Sequence, residues 1–148
     1  MFTPAVFYKK PMAALRWLEN AFGFETTMLI EGRNGDERLM HSELKFGGDG
    51  HITVGGEWAD WCKSPQAVGG GNTQSLRVDV PADIDAHCER ARAAGAIISE
   101  EPATQFYGAR TYRCIDPEGH HWTFSQKVKD LTVEEMERAG GIKIKSSL

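Results

Sequence analysis

The sequence predicts an α+β fold of two tandem βαβββ modules, followed by a short C-terminal helix. Three observations predict it. An alternating β-forming run is followed by apolar residues at helical spacing, and this happens once in each half. Each half then ends in two strand-like segments around a glycine turn. A glycine-rich segment separates the halves.

The first half opens with a strand over residues 3–8, which are rich in β-forming side chains. Pro11 suits the first turn of a helix, and apolar residues recur at helical spacing from Leu15 to Phe22. Gly23 predicts the end of this helix, since glycine adopts the left-handed conformation at little cost.

The second half repeats this order. Residues 75–80 alternate between apolar and polar side chains and predict a strand. Pro81 and Asp83 begin a helix that Gly95 ends. One face of this helix is apolar, with Ile84, Cys88 and Ala91.

The remaining strands follow each helix. We expect strands over 25–31 and 96–100, then hairpins over 44–51 and 114–120. Glycine after an acidic residue marks the turn in both hairpins, at Gly50 and Gly119.

These elements divide the chain into a single domain over 1–127 and a tail. Module one covers 1–63, the linker 64–73, module two 74–127 and the tail 128–148. A capping-box pattern at Thr132 predicts a short helix to Arg138, which we interpret as a packing or dimer element.

Composition argues against several kinds of partner. The net charge is -4 and no block of Lys or Arg occurs, so we expect no nucleic-acid binding. No apolar run reaches the ~20 residues of a membrane span, and the N-terminus lacks the order of a signal peptide. Three cysteines with no CxxC pair indicate a reducing cytoplasm.

Several segments resemble one known superfamily. Residues 14–24, 41–44 and 105–110, with Asp116-Pro-Glu-Gly-His120, resemble the PhnB-like subgroup of the vicinal oxygen chelate superfamily, also called glyoxalase/bleomycin resistance/dioxygenase. The resemblance covers residues 1–127. It implies that the two modules form curled mixed sheets around a cavity between them, and that the protein is a homodimer, with or without exchanged strands.

The same resemblance implies where a metal would be held. Metal-dependent members place ligands on the first and last strand of each module, which fall here on or near Thr3, Val54, Ser75 and Thr123. None of these is His, Glu or Asp, the usual strong ligands together with Cys. We therefore predict no cofactor and disfavour a divalent metal.

Strand alternation in module two selects a polar wall. Ser75, Arg77 and Asp79 are expected to face the cavity and bind ligand, although Arg77 and Asp79 could form only a structural pair. His121 shares this side with Thr123. Thr123 is a ligand candidate, and His121 is either a general acid/base or a core or rim histidine.

Two further groups are candidates. His41 and Glu43, two residues apart on one strand, could act as an acid/base or metal pair or could lie on a solvent-facing edge. Gln105, Tyr107 and Arg110 lie in a loop and could contact a ligand or only serve the turn.

Aromatic residues end module one. Trp58 and Trp61 could line a cavity mouth, although a dimer seam explains them better.

The sequence leaves three functions open. The first is a metal-free protein that binds a small molecule. The second is a metal-dependent lyase/isomerase or dioxygenase with a non-standard site around His41 and Glu43 or His121. The third is a metal-free acid/base enzyme that uses His121 or His41. Whether the protein is an enzyme, and on which substrate, is not determined by these patterns.

Overall fold

The computed structural model describes all residues from Met1 to Leu148. Module one contains β1 (Ala5–Tyr8), α1 (Pro11–Phe22), β2 (Glu25–Ile30), β3 (His41–Phe46) and β4 (Gly50–Gly56). Module two contains β5 (Leu76–Asp79), α2 (Ile84–Ala93), β6 (Ile97–Thr104), β7 (Ala109–Ile115) and β8 (His121–Lys127), and α3 (Val133–Gly140) follows. The predicted α+β fold with tandem βαβββ modules is confirmed.

The two sheets have the same topology. Module one forms the order β1-β4-β3-β2 and module two the order β5-β8-β7-β6. The first and last strands of each module pair in parallel, and the other pairs are antiparallel. Both sheets are therefore mixed, and neither closes into a barrel. Each module leaves its first strand at a sheet edge.

Helix ends follow the predicted signals. Gly23 closes α1 in the left-handed region at φ 81°, and its N–H binds the Glu19 carbonyl. The Asp83 side chain accepts the Ala86 N–H and caps α2. Thr132 and Glu135 form a complete capping box at α3. The sequence prediction ended α3 two residues too early, and residues 33–39 form two 3-10 turns that it did not include.

One face of each sheet is buried under its helix. Side chains on the helix-facing side include Val6, Leu44 and Val54 in module one and Tyr112 and Trp122 in module two. These residues belong to one hydrophobic core that crosses the module boundary. The opposite side of each sheet, called here its open face, carries mainly polar and partly exposed side chains. Of the helices, none has the length and apolarity needed to cross a membrane.

The modules are held together through their helices. Phe22 at the end of α1 packs its ring against Trp122 and Phe124 of β8, at centroid distances of 5.2 and 4.7 Å. The Trp17 indole donates a 2.8 Å hydrogen bond to the Ala94 carbonyl at the end of α2. Because these contacts join α1 to module two, the two modules form one structural unit.

Candidate functional site

A groove of about 960 Å³ runs between the β3–β4 hairpin and the edge strand β5. Phe46, Leu76 and Val78 give its lining partly exposed apolar surface, and they pack against a core that contains the buried rings of Phe24 and Trp122. Its volume lies in the range typical of small-molecule sites, roughly 300–1,000 Å³. The groove is therefore the principal candidate for a ligand site within the chain.

Arg77 brings charge to the edge of this groove. One terminal nitrogen of its guanidinium donates to the Asp79 carboxylate at 3.1 Å and lies 3.4 Å from the Ser125 hydroxyl. The remaining guanidinium N–H groups have no partner in the protein. The predicted structural pair of Arg77 and Asp79 therefore exists, and both side chains also line the groove as the ligand hypothesis requires.

The open face of module two presents a row of side chains across three strands. Arg77 of β5 and Arg113 of β7 are both in register with Thr123 of β8. Arg113 is paired with Glu100 at 3.2 Å and does not line the groove. Thr123 is half-buried on this face, so strand alternation placed it correctly.

Two other predicted residues flank this row. His121 is exposed at the start of β8, and its backbone N–H lies 3.4 Å from the Asn72 side-chain oxygen. Ser75 is exposed and precedes β5, so it lies outside the strand that was expected to hold it. Neither side chain lines the groove, and their proposed roles stay predictions.

His41 and Glu43 project from the open face of module one. Both are exposed, on the same side of β3, as their spacing predicted. The chain contains no group of three or more His, Cys, Asp or Glu side chains that could hold a metal. His41 and Glu43 therefore do not form such a group with His121.

Aromatic side chains flank the same face at β1. Phe7 meets Trp61 edge-on at 5.7 Å, and Trp61 meets Trp58 at 5.2 Å. Trp61 is 71% exposed, so this aromatic group is available to a ligand or to another protein surface.

The loop candidates separate into different environments. Tyr107 is exposed and lines the groove. The Gln105 amide donates to the Thr111 hydroxyl at 3.0 Å, beside the loop. Arg110 belongs to β7 and not to the loop, and it forms a two-pronged salt bridge to Asp85 of α2. Because Arg110 shares the helix-facing side of β7 with Tyr112, it points away from the open face.

Position 108 requires glycine because of its backbone conformation and its close contact with the chain at Lys129. Its φ is +89°, and a Cβ there would lie 2.4 Å from the Lys129 carbonyl oxygen. Its own carbonyl accepts the N–H groups of Val128 and Lys129. The turn interpretation of this loop therefore holds for Gly108, while Tyr107 retains its position beside the groove.

The positions that the resemblance gave to a metal need one correction. Val54 is fully buried and faces α1, because alternation along β4 places Thr53 and Gly55 on the open face instead. Thr3 precedes β1. The open-face residues on the parallel strand pairs are Ala5 and Phe7 with Thr53 and Gly55, and Arg77 and Asp79 with Thr123 and Ser125. A single carboxylate among eight residues is not a divalent-metal donor set, so the residues present do not fit such an ion.

The turn between β7 and β8 connects the modules in a way that the sequence patterns did not show. Asp116 is 3% exposed and accepts hydrogen bonds from the Tyr8 hydroxyl at 2.6 Å and the Trp122 indole at 3.1 Å. The Glu118 carboxylate accepts the backbone N–H groups of Lys9 and Lys10. This turn therefore fixes the junction of β1 and α1 in module one.

His87 is a second residue that the sequence analysis missed. Its Nδ1 lies 2.7 Å from the Tyr112 hydroxyl and its Nε2 lies 2.8 Å from the Phe22 carbonyl oxygen. Desolvation lowers the pKa of His87, partly offset by the hydrogen bond to Phe22. Its spacing from Ile84 and Ala91 on α2 could have indicated a core-facing histidine. It bridges the two modules and does not line the groove.

Comparison with known proteins agrees with this architecture. Residues 3–124 match the sequence model of the Glyoxalase/Bleomycin resistance protein/Dioxygenase superfamily. The chain therefore belongs to that superfamily.

Individual relatives support the same placement. TioX from Micromonospora sp. ML1 is 29% identical, with a TM-score of 0.64 over 89% of this chain and 99% of TioX. A fosfomycin resistance protein, FosX, from Listeria monocytogenes is 17% identical, with a TM-score of 0.61 over 92% of this chain and 96% of FosX, and shows likeness of fold alone.

Uncharacterized mycobacterial proteins also match. Those of Mycobacterium bovis and Mycobacterium tuberculosis H37Rv are each 29% identical over 108 residues, or 70% of this chain. The match spans 69% of the M. bovis protein and 62% of the M. tuberculosis protein.

Proposed function

We propose that the protein binds a small molecule in the groove between the β3–β4 hairpin and β5, without a metal ion and without converting the ligand. The observation that carries this proposal is the combination of partly exposed apolar side chains with a charged edge. Phe46, Leu76 and Val78 give a ligand apolar contact, and Arg77 gives it direction. A small number of precisely placed polar groups among apolar side chains is typical of ligand sites.

The groove lacks the acid/base residues that the sequence predicted, which favours binding over turnover, and its own lining includes His51 and Tyr107. Arg77 and Asp79 are already paired there. His121, His41 and Glu43, the predicted acid/base residues, do not line the groove. The donor set at the parallel strand pairs also disfavours the metal-dependent lyase/isomerase or dioxygenase alternative.

A homodimer forms part of the proposal. Both open faces are uncovered in the single chain, and large apolar side chains are exposed beside them, including Ile30, Trp58 and Trp61. Contiguous exposed apolar surface commonly marks an interface. Light scattering during gel filtration should give about twice the chain mass of 16.4 kDa, whereas a monomer at all concentrations would contradict this part.

Two narrower assignments also belong to the proposal. The segments 105–110 and 116–120 favour the PhnB-like subgroup. Three free, buried cysteines favour a reducing cytoplasm, where thiols stay unpaired.

A pair of glycine variants tests the groove. Gly48 lines it, has no positive φ, and would place a Cβ with no atom within 4 Å. Gly48→Trp should therefore fill the groove without disturbing the fold. Gly71 also has no positive φ, and its Cβ would meet nothing closer than 3.9 Å, outside the groove. Gly71→Trp is the matched control.

The experiment is a thermal-shift screen of small molecules against wild type and both variants, using tag-free protein. We expect compounds that raise the melting temperature of wild type and Gly71→Trp but not of Gly48→Trp, and chromatography should recover them unchanged. Conversion of such a compound, or stoichiometric Ni, Zn, Mn or Fe in the purified protein, would support the metal-dependent or acid/base alternatives instead.

A further inference from the structure

We propose that the groove selects molecules that carry an oxyanion, such as a carboxylate or sulfonate, on an apolar ring-bearing body, and that Arg77 binds the oxyanion. This inference rests on the proposed function, because it names the class of ligand for the same groove. It goes further in assigning recognition to a single side chain and a single chemical group.

The position of Arg77 favours this role. Arg77 projects from the open face of β5, whereas Leu76 and Val78 project from its other face. Because β5 is an edge strand, the groove extends around its edge and is lined by residues of both faces. Only one terminal nitrogen of the guanidinium has a protein partner. Arginine presents its N–H donors in a planar fork that matches two oxygens of an oxyanion. The unpaired part of this fork is the binding element.

The Asp79 contact does not prevent binding of a second anion. The Arg77 and Asp79 side chains are both largely exposed, and such pairs contribute little net free energy because water and salt screen them. Five donors on one guanidinium allow a carboxylate on one edge and a ligand oxyanion on the other. Asp79 and Ser125 therefore limit the orientations of Arg77 without consuming its capacity.

The other charged residues of the groove are less suited to anion binding. Lys127 pairs with Asp130 and, unlike arginine, lacks a planar fork of donors. Asp49 lies at the tip of the β3–β4 hairpin and would repel an anion there. Asp79 offsets part of the charge of Arg77, but the free N–H groups of the guanidinium still make Arg77 the favoured position for one end of the ligand.

The apolar lining determines the remainder of the ligand. Phe46, Leu76 and Val78 keep part of their surface exposed and pack against a core that contains Phe24 and Trp122, which are only 3% and 1% exposed. The Phe46 ring offers a flat or ring-bearing molecule an aromatic contact. Together this lining and Arg77 indicate an amphipathic anion and disfavour a fully polar metabolite.

Two fluorescent probes with nearly the same ring system test this inference. 8-Anilinonaphthalene-1-sulfonate carries a sulfonate, and N-phenyl-1-naphthylamine has the same aromatic body without it. Each probe is titrated into wild type, Arg77→Ala and Arg113→Ala. Arg113 is the matched control, because it is an exposed arginine with a carboxylate partner on the same sheet but outside the groove.

We expect wild type to bind the sulfonate probe more tightly than the neutral probe. Arg77→Ala should weaken the sulfonate probe about tenfold, the effect of losing one charge-assisted contact, and should leave the neutral probe unchanged. Arg113→Ala should change neither. Both probes should lose binding in Gly48→Trp and keep it in Gly71→Trp.

The two possible failures are distinct. In the first, Gly48→Trp abolishes binding of both probes, but Arg77→Ala weakens the two probes equally or has no effect on either. The oxyanion inference is then wrong, while the groove remains the binding site. If neither probe binds, or Gly48→Trp has no effect on their binding, the proposed function and the inference are both overturned.

Discussion

The Tyr8 hydroxyl donates a 2.6 Å hydrogen bond to the Asp116 carboxylate, across 108 positions of the chain. This contact joins β1 of module one to the turn between β7 and β8 of module two. The other Asp116 oxygen accepts the backbone N–H groups of Glu118 and His120. A single buried carboxylate therefore organises its own turn and anchors it to the other module.

Replacing Asp116 by Asn tests this connection. The Asp116 carboxylate accepts four hydrogen bonds, two on each oxygen. In asparagine an NH₂ group, which is a donor, replaces one of these oxygens, so two of the four donors would lose their acceptor. We expect Asp116→Asn to lower the free energy of unfolding by about 2–4 kcal/mol, measured by urea denaturation. Asp130→Asn removes only an exposed salt bridge and should cost less than about 1 kcal/mol. Equal effects would contradict the account of Asp116.

Glu118 makes a separate prediction about α1. Its two carboxylate oxygens accept the N–H groups of Lys9 and Lys10, at 2.6 and 3.0 Å, immediately before the helix begins. Glu118→Ala should destabilise the protein by about 1–3 kcal/mol. Glu118→Gln keeps one acceptor oxygen and should recover part of this loss. A fully stable Glu118→Ala variant would show that the bonds contribute nothing.

His87 predicts a pH dependence of stability. Burial lowers the pKa of His87 in the folded protein, so the unfolded chain takes up the proton first as pH falls below about 6.5. The stability that the neutral His87 ring contributes is therefore fully present above the pKa of His87 in the unfolded chain. This stability is lost as pH falls through the pKa of His87 in the folded protein.

Urea denaturation at about pH 7.5 and about pH 5.5 measures this effect, at most about 1.4 kcal/mol per pH unit for one group. His87→Asn should show a smaller loss of stability between the two pH values than wild type. An unchanged pH dependence would mean that another group causes it.

The cysteines predict low chemical reactivity. Burial raises the pKa of Cys88 to about 11 and that of Cys114 to about 12. Since the thiolate is the reactive form, native protein should resist iodoacetamide at about pH 8. Mass spectrometry should show modification of Cys62, Cys88 and Cys114 only after unfolding. Rapid labelling of one cysteine in the native protein would contradict this expectation.

The fold was readable from the sequence because its signals are local and occur twice. Gly23, Asp83 and the glycine hairpins each specify a turn or helix end through the conformation of a few residues. Alternation on β5 and β8 also placed Arg77, Asp79 and Thr123 on the correct face. Val54 came from the family resemblance and not from alternation, and it lies one residue from the open-face Thr53, which puts its side chain on the opposite side of β4.

The site was less predictable because it depends on contacts between distant segments. Nothing near Phe46 indicates that its hairpin will lie opposite β5 and create a groove. Arg110 was expected in a loop, but β7 begins earlier and directs the side chain to Asp85. The bonds from Asp116 and Glu118 to residues 8–10 likewise depend on how the modules pack.

The measurement that tests the central claim most directly is an amide NMR titration of the isotope-labelled protein with N-phenyl-1-naphthylamine. We expect the largest shift changes at the groove segments, residues 46–52, 76–81 and 107–109. Changes confined to the open face of module one, at His41, Glu43 and Trp61, would contradict binding in the groove and place the site on the opposite side of that sheet.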